Sequence, residues 1–145
     1  MKLRKEFLNG FIIAATTGAF FLLMDAMGYG DLFYLRLINV IFVLYGVNRS
    51  VQMNIVDGEN NFVNNAVSAM ITALIGVFLS IIGLIIYSYL QGGDAYVETL
   101  SKTFLFGGNP SIFTYSASLL FEGVAASVIV TMLLMLYWNN RLTSD

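Results

Sequence analysis

Cysteine and histidine are both absent from this 145-residue chain, and proline occurs once. Without cysteine there can be no disulfide, zinc–thiolate site, iron–sulfur cluster or thiol nucleophile. Without histidine the chain lacks the usual haem ligand, the commonest metal ligand and the usual general base near neutral pH. Charge is scarce as well: 11% of residues are charged, against about 25% in an ordinary globular chain. The net charge is -2 and no basic run occurs, which argues against nucleic-acid binding. No GxSxG, phosphate-loop or dinucleotide-binding motif is present, and "FGGNP" reads as a turn. The expectation is a protein that is not an enzyme, with no cofactor and no metal.

What the chain has is apolar length. It is 58% hydrophobic with a mean hydropathy of +0.78, and several apolar runs exceed the roughly 18 residues that mark a spanning helix. The fold class expected is an all-α integral membrane protein, a four-helix transmembrane bundle forming one domain over residues 1–145. Spans are expected at about 7–28, 32–53, 62–90 and 112–138. The N-terminal stretch has the layout of a signal peptide but is read as a retained first span. Asp57-Gly58 marks a turn, Asn60 or Asn61 is a candidate cap for the third helix, and Pro110 precedes the fourth, where its missing N–H costs nothing. Between spans three and four, Val97, Leu100, Phe104 and Leu105 share a helical face opposite Glu98, Ser101 and Lys102. This predicts a short amphipathic helix at the membrane interface.

Orientation follows from the cations. Lys2, Arg4, Lys5, Arg49 and Arg141 fall on one side, against Lys102 and Arg36 on the other. Both termini are therefore expected to be cytoplasmic. Tyr87, Tyr89, Tyr137 and Trp138 lie near span ends, where interfacial aromatics belong.

Lipid supplies no hydrophobic drive for helices to associate, so small residues matter for packing. Gly10, Ala14 and Gly18 recur every four residues in the first span, as do Ser68, Thr72, Gly76 and Ser80 in the third. Gly123 and Ser127 do the same in the fourth. These stripes read as packing faces or, for the hydroxyls, as a polar pathway. The second span is bulky and is expected to face lipid most.

Three ionisable residues fall inside the spans: Asp25, Arg36 and Glu122. Each costs roughly 2.5–3.5 kcal/mol at a helix centre. Asp25 and Arg36 flank the same turn at similar depth, which predicts an ion pair, the alternative being that each snorkels independently to the outer interface. Glu122 lies roughly 15 Å into a core about 30 Å thick. It is read as a structural partner of Arg36 or of hydroxyls such as Thr72, as a proton- or substrate-handling acid, or as a contact to another subunit.

The stretch "DGENNFVNNAVSAMITALIGVFLSIIGLIIYSYL" resembles small four-span bacterial membrane proteins of unknown function. That resemblance implies a bacterial cytoplasmic (inner) membrane location and no particular activity. The function expected is an accessory, assembly or scaffold subunit of a membrane complex, or a homo-oligomer, with the bilayer and a protein partner or second copy as its contacts. The alternative is a small proton-coupled transporter or channel using Glu122.

Overall fold

The computed structural model describes residues 4–29, 34–100 and 111–143. It is helical throughout: α1 (Arg4–Ala26), α2 (Tyr34–Val56), α3 (Phe62–Leu90), α4 (Asp94–Leu100) and α5 (Ile112–Trp138), followed by a 3-10 turn over Asn139–Arg141. Among the described residues, three helical stretches are long and apolar enough to cross a membrane: Arg4–Ala26, Phe62–Leu90 and Ile112–Arg141. The 23 residues of α2 equal α1 in length, but Arg36, Asn39, Asn48, Arg49, Gln52 and Asn54 make it less apolar.

Local chemistry explains the helix ends. The Asn61 side chain accepts from the Asn64 N–H at 3.0 Å and caps α3. Ser111 caps α5 in the same way, accepting from the Thr114 N–H, and Asp94 Oδ1 adds a bond from the Ile112 N–H at 3.0 Å. α1 ends at Gly28, whose φ of 84° lies in the left-handed region. There the Gly28 N–H bonds to the Asp25 carbonyl and the Tyr29 N–H to the Met24 carbonyl, a pairing that satisfies the last free carbonyls of a helix. Gly58 closes α2 with the same geometry. α1 begins one turn earlier than the apolar run, so Glu6 sits in its first turn, where the helix dipole favours an acid.

α3 lies at the centre of the bundle and packs against α1, α2, α4 and α5. The tightest point is Ile13 of α1, which is 1% exposed. A Cβ at Gly76 of α3 would lie 2.7 Å from Ile13 Cγ2, and one at Gly46 of α2 would overlap the same side chain. Ile13 therefore fills a notch made by two glycines on two helices. Val43, Val47, Val51, Ala69, Ala73, Val130, Leu134 and Met135 complete this core. A second apolar cluster at the opposite end joins Val97 of α4 to Ile112 and Tyr115 of α5, with Phe21, Leu84, Ile85, Tyr96 and Leu119 around it.

The packing of α2 corrects one expectation. Far from being the most lipid-facing helix, it turns Val43, Gly46, Val47, Ser50, Val51 and Asn54 inward at spacings of one, three and four residues. Its bulky residues, such as Leu37, Ile41 and Tyr45, point out. In α4, Val97 is fully buried against the bundle. The remainder of the amphipathic stretch, including Phe104 and Leu105, lies outside the described residues.

The start of α1 and the segment after α5 lie at one end of the bundle. The Thr143 N–H donates to the Asn60 carbonyl and the Phe62 N–H to the Thr143 carbonyl, each at 2.7 Å. Lys5 pairs with Asp57, and Trp138 Nε1 donates to Asn48 Oδ1 at 2.8 Å. The start of α1, the α2–α3 loop and the C-terminal segment thus share one end.

Candidate functional site

A cluster of buried polar groups lies between α1, α2 and α3, at the end where α1 starts. Glu6 is 2% exposed. Its Oε1 accepts a hydrogen bond from Ser68 Oγ at 2.6 Å, a length typical of a hydroxyl bonded to a carboxylate. Ser68 Oγ in turn accepts from Asn54 Nδ2 at 2.9 Å and lies 3.4 Å from Ser50 Oγ. Thr72 Oγ1 lies 3.0 Å from Ser50 Oγ and 2.8 Å from the Ser68 carbonyl. Helical spacing builds this cluster: Ser50 and Asn54 lie one turn apart on α2, as Ser68 and Thr72 do on α3. The two helices run antiparallel, so Ser50 meets Thr72 and Asn54 meets Ser68. Glu6 Oε2 has no hydrogen-bond partner among the described residues.

One turn along α1, Asn9 is fully buried. Its Oδ1 accepts from Arg49 at 3.3 Å and its Nδ2 donates to Met53 Sδ at 3.5 Å. Arg49 and Met53 also line a shallow groove of about 310 Å³ with Gln52, Val56 and Asp57.

At the other end of α1, Asp25 is half-buried. Its Oδ2 accepts from both Tyr87 Oη and Tyr96 Oη, each at 2.9 Å. The two rings meet edge to face at 5.6 Å, and Phe21 meets Tyr87 edge to face at 6.0 Å. Tyr96 thereby ties the short α4 to α1. Burial raises the Tyr96 phenol above its ordinary value of 10, and its hydrogen bond to Asp25 adds to the shift.

The sequence-derived residues divide among these places. Asp25 bonds the two tyrosines, and the side chain of Arg36 lies outside the described residues, as does any pairing through it. Glu122 is half-buried on α5, beside Gly123, where a Cβ would lie 2.5 Å from Val77 Cγ1 of α3. Thr72, a hydroxyl considered for Glu122, instead joins the Glu6 cluster. Gly10 faces Ile75, with a hypothetical Cβ 2.5 Å away, while Gly18 has nothing within 4 Å. Ala14 is half-buried between them. Ser80 donates to the Gly76 carbonyl at 2.7 Å and lies 3.0 Å from Thr17 Oγ1 of α1. Ser127 is buried and donates to the Gly123 carbonyl at 2.7 Å. Several of these hydroxyls are therefore satisfied by their own helix, the usual solution inside an apolar bundle.

Glu6 is the residue that sequence reasoning missed. It stands beside Arg4 and Lys5, and reads as part of a charged flank. The signal was the spacing of Glu6, Asn9, Ile13 and Thr17, which puts three polar groups on one face with a core isoleucine.

No protein-family model matches this chain, and no curated protein and no solved structure was found to be similar to it. No activity therefore comes to it from a relative.

Proposed function

We propose that this chain is a non-catalytic integral membrane protein, an accessory, assembly or scaffold subunit of a membrane complex or a self-assembling oligomer. The observation that carries this reading is the Glu6–Ser68–Ser50–Thr72 network. It commits four buried polar groups to joining three helices. Outward faces rich in apolar side chains, such as Phe113, Phe121 and Leu136 on α5 and Phe78, Ile82 and Ile86 on α3, suit lipid or another membrane helix.

In this proposal α2 is the fourth span. It is about 35 Å long at 1.5 Å per residue, and its buried face shelters Ser50 and Asn54 from lipid. The Lys and Arg bias then puts both termini on the cytoplasmic side of a bacterial inner membrane. Native-membrane purification in mild detergent with mass measurement is the test. A defined partner or a homo-oligomer is expected, and a lone monodisperse monomer contradicts the proposal. The alternative, a small proton-coupled transporter or channel using Glu122, gains the advantage if liposomes show pH-dependent flux that Glu122→Gln abolishes while the protein still folds.

A further inference from the structure

We infer that the groove beside Arg49 is a binding site for the phosphodiester headgroup of an anionic phospholipid, held against α2 at the end of the bundle where α1 starts. The inference rests on the reading of α2 as a span. Arg49 is half-buried and precedes Val56, the last residue of α2, by about two turns. An arginine inside a span is costly unless a partner meets its charge. The buried Asn9 side chain accepts one of its N–H groups at 3.3 Å, but an amide oxygen carries no charge. No carboxylate pairs with Arg49 among the described residues, because Asp57, the acid of the same groove, is taken by Lys5. Lys5 and Asp57 cancel, so the groove keeps the arginine's positive charge.

A phosphodiester answers that charge in kind and in shape. It carries one negative charge, and its two free oxygens match the planar fork of a guanidinium. Asn9 uses one donor of the five, so the others remain for the phosphate. A lipid phosphate is already held at the interface by its acyl chains, so it meets Arg49 without capture from solution. The groove measures about 310 Å³, at the lower end for ligand clefts, which suits a headgroup rather than a whole lipid.

The face of α2 below the groove continues the fit. Ile41, Tyr45, Arg49, Gln52 and Val56 recur every three or four residues and share one side of the helix. Tyr45 and Ile41 are exposed, and they lie about 6 and 12 Å further from the end of α2 than Arg49 does. A lipid whose phosphate meets Arg49 lays an acyl chain along them. The same end of the bundle carries the exposed Arg4, and basic groups beside spans attract anionic headgroups. A zwitterionic lipid brings an ammonium as well, which Arg49 and Lys5 repel and for which Asp57 is already engaged. Charge complementarity therefore favours the anionic class.

The test is native mass spectrometry of the full chain, delipidated in mild detergent, with phosphatidylglycerol and phosphatidylcholine of the same acyl chains as probes. Phosphatidylglycerol should bind at least about tenfold more tightly than phosphatidylcholine. Arg49→Gln should weaken it by about ten- to a hundredfold, the equivalent of the charge-assisted hydrogen bonds lost, and bring the two lipids level. Gln52→Glu puts a carboxylate at an exposed position one turn from Arg49 and should weaken binding several-fold; it decides if Arg49→Gln does not fold. Equal affinities for the two lipids would overturn the site, as would a preference that survives these substitutions. Displacement of the lipid by soluble glycerol phosphate would assign the groove to a free phosphate instead. The chain has no cysteine, so labelling of Tyr45→Cys in nanodiscs by a membrane-impermeant maleimide separates the two failures. A labelled thiol would overturn the span and the lipid site with it. A protected thiol without lipid preference would overturn the lipid site alone.

Discussion

The two ends of α1 each hold an acid, and they hold it in opposite ways. At the first turn, Glu6 is sealed among small hydroxyl and amide groups from α2 and α3, with one oxygen bonded and the other without a hydrogen bond among the described residues. At the last turn, Asp25 is half-buried, and two large tyrosines donate to a single oxygen. The first arrangement joins three long helices where little space remains, because serine and threonine let the backbones approach closely. The second attaches a seven-residue helix to the bundle through long side chains that span a wider gap. The Glu6 end should therefore govern whether the bundle holds together, and the Asp25 end whether α4 stays docked.

The comparison can be broken most forcefully through the glycines that permit close packing. Gly76→Val should destabilise the bundle by about 3 kcal/mol, since even a Cβ there collides with Ile13 and overpacked cores lose 1–3 kcal/mol or more. Denaturation in mild detergent would measure it. Ser68→Ala comes next. It strips Glu6 Oε1 of its donor and Asn54 of its acceptor, a loss of about 1–2 kcal/mol by the same assay. Tyr96→Phe should cost less, about 1 kcal/mol, and its effect should be confined to faster hydrogen exchange in α4. An equal loss of protection in α1 and α3 would mean that the two ends are not separate.

Alkaline pH sharpens the same contrast. The raised Tyr96 phenol means that the fold favours its neutral form. Its contribution is complete below about pH 10, the unfolded value, and is lost as pH rises through the higher folded value. Protection of α4 should fall in that range, less so in Tyr96→Phe, with the Glu6 end unaffected. The smallest effect is expected at Gly18→Ala. A Cβ there would meet no packing neighbour within 4 Å among the described residues, so stability should stay the same or rise by up to about 1 kcal/mol from helix propensity. A large loss there would reveal a neighbour such as a second subunit.

Much of the helical layout was legible in the residues. Apolar runs at 62–90 and 112–138 coincide with α3 and α5, because uninterrupted apolar length has few other outcomes. Asn61 and the glycines after α1 and α2 mark their turns by side-chain and φ chemistry that is local in sequence. What was hidden depends on which face of a helix meets which neighbour. α2 looks bulky when read as a string, yet Val43, Gly46, Val47 and Ser50 gather on one side, and the large residues fall on the other. Glu6 was obscured by its basic neighbours, although those point elsewhere: Arg4 is exposed and Lys5 pairs with Asp57. The tyrosines that bond Asp25 come from 62 and 71 residues away. No local pattern announces partners at that separation.

The central claim is that buried polar groups at the Glu6 end hold helices together as a unit. A double-mutant cycle between Glu6→Gln and Ser68→Ala, read by unfolding free energy in the same detergent, tests it most directly. Side chains in one hydrogen-bonded network couple by about 0.5–3 kcal/mol, with membrane bundles at the lower end. The account predicts a coupling of at least about 0.5 kcal/mol. Strictly additive losses would contradict it, because Glu6 and Ser68 would then contribute to the fold independently.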